Sequence, residues 1–134
     1  MDWITNNSML MLQKGLDYTW QKQRVISENI ANVETPGYKA KYLTFEDELR
    51  QRLWKVSNSK TSGKITRHQE IRDAIGSSRF TVRDTDVETT KLDGNNVNID
   101  VEGVELARAE FQYEYLVKQI NDQFSRLRTV IQGR

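Results

Sequence analysis

One histidine, no cysteine and a scatter of acids are what this chain of 134 residues offers to catalysis or metal binding. His68, Glu70 and Asp73 are metal-capable types, but one imidazole with carboxylates in a polar stretch reads as a surface grouping, and no metal is expected. A single histidine leaves no serine–histidine or cysteine–histidine arrangement, and no acid sits in an apolar setting that would raise its proton affinity. Gly63-Lys64 carries a fragment of a phosphate-binding loop, which needs glycine five residues earlier and serine or threonine after the lysine. Asn58 and Ile65 stand there instead. Neither catalysis nor a cofactor is expected. Lys39, Lys41, Arg126, Arg128 and Arg134 could meet phosphates, yet Glu46, Asp47 and Asp122 dilute them, and the net charge is only +1. They read as solvated helix faces, with no nucleic-acid partner.

With chemistry set aside, the apolar spacing becomes the informative signal. Met9, Leu12, Leu16 and Trp20, then Ile26, Ile30 and Val33, recur at helical intervals interrupted by Gln23, predicting one helix over 3–34. Thr35 precedes Pro36 and is pushed out of helical geometry, while Pro36-Gly37 suit the centre of a type II turn. A shorter helix is expected from Thr44 as cap, carrying Phe45, Leu49, Leu53 and Trp54. Residues 57–66 are small and polar and read as a mobile loop. Phe80, Val82 and Val87 suggest a strand that could pair with Val97, Ile99 and Val101 across the Asp93-Gly94 turn as a small hairpin.

The last helix is expected over 101–132, with Asp100 as cap. Its main stripe is Leu106, Ala109, Tyr113, Leu116, Ile120, Phe124, Leu127 and Ile131, in steps of three or four residues. A second strip, Val104, Ala107, Phe111 and Tyr115, lies around the same cylinder. One partner helix covers one stripe, so pairing the two terminal helices leaves Phe111, Tyr115, Trp3, Leu10 and Trp20 partly exposed, as an interface would be. The hydrophobic fraction of 37% and charged fraction of 29% leave little material for a thick core. The expected architecture is one mainly α, elongated domain over 1–134. Its long terminal helices form an antiparallel, coiled-coil-like pair, and residues 35–100 form an irregular middle. No apolar run approaches the roughly 20 residues of a membrane-spanning helix, and the first residues lack the basic start and apolar stretch of a cleaved signal.

Ser27-Glu28-Asn29-Ile30-Ala31-Asn32-Val33-Glu34-Thr35-Pro36-Gly37-Tyr38-Lys39-Ala40 resembles the signature of the flagellar axial proteins, its Thr-Pro-Gly-Tyr ending that of their proximal-rod members. Phe45, Leu49, Asp93-Gly94-Asn95-Asn96-Val97, Asp100, Glu102 and Phe111-Gln112-Tyr113 carry the same resemblance toward the other end. It implies a rod subunit of the basal body in the cell envelope, exported without a cleaved signal peptide through the flagellar export apparatus. It would assemble with copies of itself, other rod proteins and the membrane-ring adaptor. The implied assembly interface takes Leu12, Leu16, Trp20, Ile26, Asn29, Ile30, Asn32, Pro36, Gly37 and Tyr38 from the first helix and its turn. From the last helix it takes Leu106, Phe111, Tyr113, Leu116, Ile120, Phe124, Leu127 and Ile131. Asn29 and Asn32 share one helix face, where their amides either bond across an interface or satisfy the frayed carbonyls of the helix end. Tyr38 either anchors the turn on a neighbour or packs within the chain. The competing readings are a different rod subunit and a small closed helical adaptor, which would stop at a dimer or tetramer rather than propagate.

Overall fold

Asn6 opens the first helix: its side-chain oxygen accepts the Met9 N–H at 2.8 Å, satisfying one of the free donors of the first turn. The computed structural model describes residues 6–59, 64–89 and 91–133. In chain order the elements are α1 (Asn7–Ala31), β1 (Lys41–Thr44), α2 (Glu46–Asn58), α3 (Lys64–Ser77), β2 (Thr81–Asp84) and α4 (Ile99–Gln132). The fold is mainly α, as expected, with α1 and α4 as its long antiparallel pair.

α1 ends three residues short of the expected boundary, and residues 3–5 of the expected start, with Trp3, lie outside the described residues. The early stop has a cause in hydrogen bonding. Asn32 turns its amide back to the Glu28 carbonyl at 2.7 Å, and its N–H is shared between the carbonyls of Glu28 and Asn29, which tightens the last turn. The turn that follows is the expected one. Tyr38 N–H reaches the Thr35 carbonyl at 3.2 Å, and Gly37 holds φ 71°, a conformation that side-chain-bearing residues rarely adopt.

The middle departs further from expectation. Thr44 does not cap a helix. It is the last residue of β1, and its hydroxyl donates to the Thr81 carbonyl at 3.1 Å. Phe45 occupies the cap position of α2 without a side-chain bond, and Glu46, Asp47 and Glu48 place negative charge on the exposed N–H groups instead. The predicted hairpin is replaced by a different pairing: β1 runs antiparallel to β2 with Lys41 opposite Asp84 and Thr44 opposite Thr81. Val97 is buried in a loop, while Ile99 and Val101 belong to α4. Asn98 explains that change, because its side chain accepts the Asp100 N–H at 3.1 Å and starts the helix two residues earlier than expected, displacing Asp100 from the cap. The loop expected over 57–66 is helical at both edges, with α2 reaching Asn58 and α3 starting at Lys64, while residues 60–63 lie outside the described residues.

These middle elements build a small core on one side of α1. Tyr18, Leu43, Phe45, Leu49 and Ile75 form its buried cluster, with Leu10, Leu53, Ile71 and Phe80 packed around it. Tyr18, Phe45 and Phe80 stack with ring centroids 4.9 to 6.1 Å apart, within the range for favourable aromatic pairs. Leu10, expected to stay partly exposed, is partly buried against this cluster.

Candidate assembly surfaces

α4 meets the other side of α1. Leu116 rests over Gly15, Glu105 pairs with Lys22 at 2.9 Å, and Glu102 interacts with the Asn29 amide. Advancing along α1 means retreating along α4, and 14 residues separate both Gly15 from Asn29 and Leu116 from Glu102. A Cβ on Gly15 would stand 3.2 Å from the nearest Leu116 methyl, so the missing side chain is what admits Leu116. The stripe that does this is the main one anticipated: Ala109 is completely buried, and Leu106, Leu116, Ile120 and Leu127 are half-buried. Leu12, Leu16 and Ile30 are half-buried on α1, and Ile26 is buried.

The end of α1 is tied down by asparagines from both halves of the chain. Asn29, 1% exposed, accepts the Lys41 N–H at 2.8 Å and donates to the Lys41 carbonyl at 2.7 Å, pairing with the outer edge of β1 as another strand would. Tyr38 half-buries its ring and donates its hydroxyl to the same Asn29 oxygen at 3.3 Å. Asn95, fully buried, donates to the carbonyls of Asn32 and Thr35, both at 2.8 Å, and accepts the Val97 N–H. Gly37 N–H reaches the Asp93 carbonyl at 2.7 Å, and Gly94, at φ 76°, lies so near that a Cβ on it would touch the Gly37 Cα. Asn96 completes the join by accepting the Ala40 N–H and donating to the carbonyls of Thr85 and Val87. The Thr-Pro-Gly-Tyr and Asp-Gly-Asn-Asn segments, some 60 residues apart, are two halves of one junction. The motif spacing hinted at Asn29 and Asn32. The parts played by Asn95 and Asn96 went unread, since which carbonyls they serve depends on tertiary contact. Asn32 serves its own helix end, while Asn29 serves a strand.

Burial leaves its mark on the acids nearby. Glu102 is pushed above the ordinary carboxyl range by burial and by Glu105, against the Asn29 hydrogen bond that lowers it. Glu105 is held below that range, chiefly by its hydrogen bond to Lys22. Tyr38 is raised by burial and then by Glu28, Asp84 and Glu102.

What α1 does not cover is the second strip of α4. Phe111 is 72% exposed and Tyr115 62%, with Val101 and Val104 also more than half exposed on the same flank. Tyr113 lies at the margin of the seam, and Phe124 and Ile131 are exposed toward the C-terminal end. On α1, Trp20 is half exposed with the Arg24 guanidinium 5.2 Å from its ring, and Pro36 and Gly37 face solvent at the turn. None of the described helices is long and apolar enough to cross a membrane.

The family described as flagella basal body rod protein matches residues 9–39, which cover most of α1 and the glycine turn. Over the longer span, the chain is 35% identical to the flagellar basal body rod protein FlgB of Bacillus subtilis across 122 residues, 91% of each chain. The protein of that name from Buchnera aphidicola subsp. Acyrthosiphon pisum is 32% identical over 90% of this chain and 91% of its own. The one from Escherichia coli is 28% identical over 90% of both. Shared sequence across nine-tenths of both chains spans the helix pair and the junction between them, and the chain belongs to the FlgB family of flagellar basal body rod proteins.

Proposed function

We propose a mechanical role: this structural subunit of the flagellar basal-body rod joins copies of itself and neighbouring rod proteins through the uncovered flank of α4, and the interlocked helices transmit motor torque. The exposed residues Val101, Val104, Phe111 and Tyr115 carry the reading, because large apolar side chains grouped on one exposed flank mark an interface. At roughly 25 cal/mol per Å², and 150 to 250 Å² per aromatic ring, covering it contributes several kcal/mol per neighbour. Close-packed side chains resist shear, the property a drive shaft requires. Trp20, Pro36, Gly37, Tyr113, Phe124 and Ile131 belong to the proposed assembly surface with this strip. The seam residues Leu12, Leu16, Ile26, Ile30, Leu106, Leu116, Ile120 and Leu127, and the junction residues Asn29, Asn32 and Tyr38, support it by fixing α4 in place. The membrane-ring adaptor and the export apparatus complete the proposed partners, and the proposed site is the periplasmic rod, reached without a cleaved signal peptide. No catalytic role is proposed. The relatives, all rod proteins, lend no support to a small closed adaptor.

The test substitutes the flank without touching the seam. Phe111→Asp leaves the α1–α4 pair intact, so the purified variant keeps its helical circular dichroism and its melting temperature while a strain carrying it stops swimming. Leu116→Asp is a poorer probe, because Leu116 fills the space over Gly15 and its loss unfolds the pair itself. A motile strain carrying both Phe111→Asp and Tyr115→Asp contradicts the reading.

A further inference from the structure

α1 and α4 differ in length by nine residues, 25 against 34, and the excess lies at one end. With Gly15 opposite Leu116 and Asn29 opposite Glu102, Asn7 falls opposite position 124. The last two turns of α4 therefore run past the first described residue of α1. This overhang carries Phe124, Val130 and Ile131, each more than half exposed, and the half-buried Leu127. Its Arg126 and Arg128 have no ion pair among the described residues.

Elsewhere on the same molecule lies an open apolar groove of about 500 Å³ between α1, α2 and α4. Met11, Gly15, Tyr18, Leu49, Leu53 and Leu116 line it, and Glu46 stands on its rim. Its α2 wall begins with Glu46, Asp47 and Glu48. Asp47 is paired with Arg50 and Glu48 with Arg52, which leaves Glu46 without an ion pair among the described residues. The Tyr18 hydroxyl in the groove is pushed up to about 12, first by burial and then by Glu46, Glu105 and Asp47.

The two features match in length and in charge. From Met11 to Thr19 on α1, and from Phe45 to Leu53 on α2, the groove walls span eight residue steps, about 12 Å. Phe124 to Ile131 spans seven steps, about 10 Å. Residues 99–116 of α4 hold five acids, Asp100, Glu102, Glu105, Glu110 and Glu114, against Arg108 alone. Residues 117–133 hold Lys118, Arg126 and Arg128 against Asp122 alone. The C-terminal part of α4 is basic, and the charged residues that line the groove are Glu46 and Arg50, of which Arg50 is paired with Asp47. A chain's own tail cannot enter its own groove, because Leu116 in the groove wall and Ile131 in the tail lie 15 residues apart on one continuous helix, about 22 Å.

Building on the rod reading above, we infer that the overhanging end of α4, through Phe124, Leu127 and Ile131, seats in the α1–α2–α4 groove of a second copy, with Arg126 and Arg128 meeting the acidic rim at Glu46. Tail and groove are different surfaces, so the contact is heterologous. It repeats from copy to copy instead of closing on itself.

The absence of cysteine makes the test clean. Gln112→Cys places a thiol on the groove wall and Val130→Cys one on the tail. Eighteen residues apart on one helix, about 27 Å, they cannot join within a chain, since a disulfide needs Cα atoms within roughly 7 Å. A chain carrying both changes forms a ladder of disulfide-linked multimers under mild oxidation, and a mixture of the two single variants forms the mixed dimer. Phe124→Ser slows this at least about tenfold, since one aromatic ring leaves the groove. Glu46→Lys slows it about three- to tenfold, and Arg126→Glu with Arg128→Glu in the tail partner restores the rate. Because Phe124 is exposed, the variant keeps its circular dichroism. Cross-linking that stops at a dimer, or that is indifferent to Phe124→Ser, overturns the inference. The wild-type chain restoring swimming to a strain lacking its own rod subunit upholds the rod reading; Phe124→Ser restoring it equally overturns only the tail-in-groove contact.

Discussion

Asn29 and Asn32 stand three residues apart in the same motif, and the structure predicts that Asn29 contributes more to folding than Asn32 does. Asn29 is 1% exposed and exchanges two hydrogen bonds with Lys41, at 2.8 and 2.7 Å, while accepting a longer one from Tyr38. Removing its amide takes away two well-formed bonds worth about 1 kcal/mol each and leaves the Lys41 N–H and carbonyl facing a cavity, at about 1 to 3 kcal/mol for each group that water fails to reach. Alanine returns roughly 0.5 kcal/mol of helix propensity. Asn29→Ala is therefore expected to destabilise the chain by at least about 1.5 kcal/mol, and by more where water fails to reach the orphaned groups. Asn32 bonds only the Glu28 carbonyl and the Thr35 hydroxyl, both within reach of solvent, and the Asn95 bond to its backbone survives substitution. For Asn32→Ala the expected loss is under about 1 kcal/mol. Urea titrations of both variants, compared at constant m-value, measure the difference. Equal midpoints, or a larger loss at Asn32, would refute the account of Asn29 as the fastening of β1.

Gly15→Ala should be neutral within about 1 kcal/mol, because the helix propensity gained offsets a 3.2 Å approach to a flexible Leu116 methyl; Gly15→Val should cost about 1 to 3 kcal/mol by forcing α4 away, both read from thermal melts. Glu102, raised in the folded chain, favours folding only when protonated, and that contribution fades as pH rises through its folded pKa. Glu102→Gln should accordingly raise the melting temperature at pH 7 and leave it unchanged near pH 4. Glu105 has the opposite sign: its lowered pKa adds stability above the ordinary carboxyl range that disappears as pH falls, so Lys22→Ala should cost up to about 1 kcal/mol at pH 7 and progressively less as the pH falls through the folded pKa.

The helices legible in the sequence were those whose burial has a long period. α4 shows eight apolar positions over seven helical steps, and the stripe meets α1 through Leu106, Ala109, Leu116 and Ile120, while Phe124 and Ile131 stay exposed. The turn after α1 was legible because proline and glycine fix backbone angles locally. α3 was not, since among its described side chains only Ala74 and Ile75 are buried, with Ile71 the one other apolar residue packed on the core, too few for a period to emerge from so polar a segment. The strand pairing was misassigned for a related reason. β1 is four residues long, its partner lies some 37 residues away, and the nearer alternation at Val97, Ile99 and Val101 gave a stronger signal than Asn98 gave as a cap. Local pattern carried no information about which polar side chain would reach which distant carbonyl.

That same limit governed the assembly surfaces. Two apolar stripes on α4 were visible from spacing, but a stripe turns inward or outward only relative to what covers it. Here α1 is occupied on both sides, by α4 on one and by the Tyr18 cluster on the other, and α2 comes only near enough for Tyr115 to border the shared groove, while Phe111 stays exposed. Asn29 and Asn95 lock the middle to the end of α1 through buried bonds to backbone groups, and Asn96 ties segments of the middle to one another. A segment fastened in that way cannot swing across to shield the flank without orphaning those groups, at about 1 to 3 kcal/mol apiece. The exposed strip is thus held open by the interior hydrogen bonding, which ties the availability of the proposed interface to the integrity of the junction. Weakening Asn95 should therefore impair assembly even though it touches no neighbour.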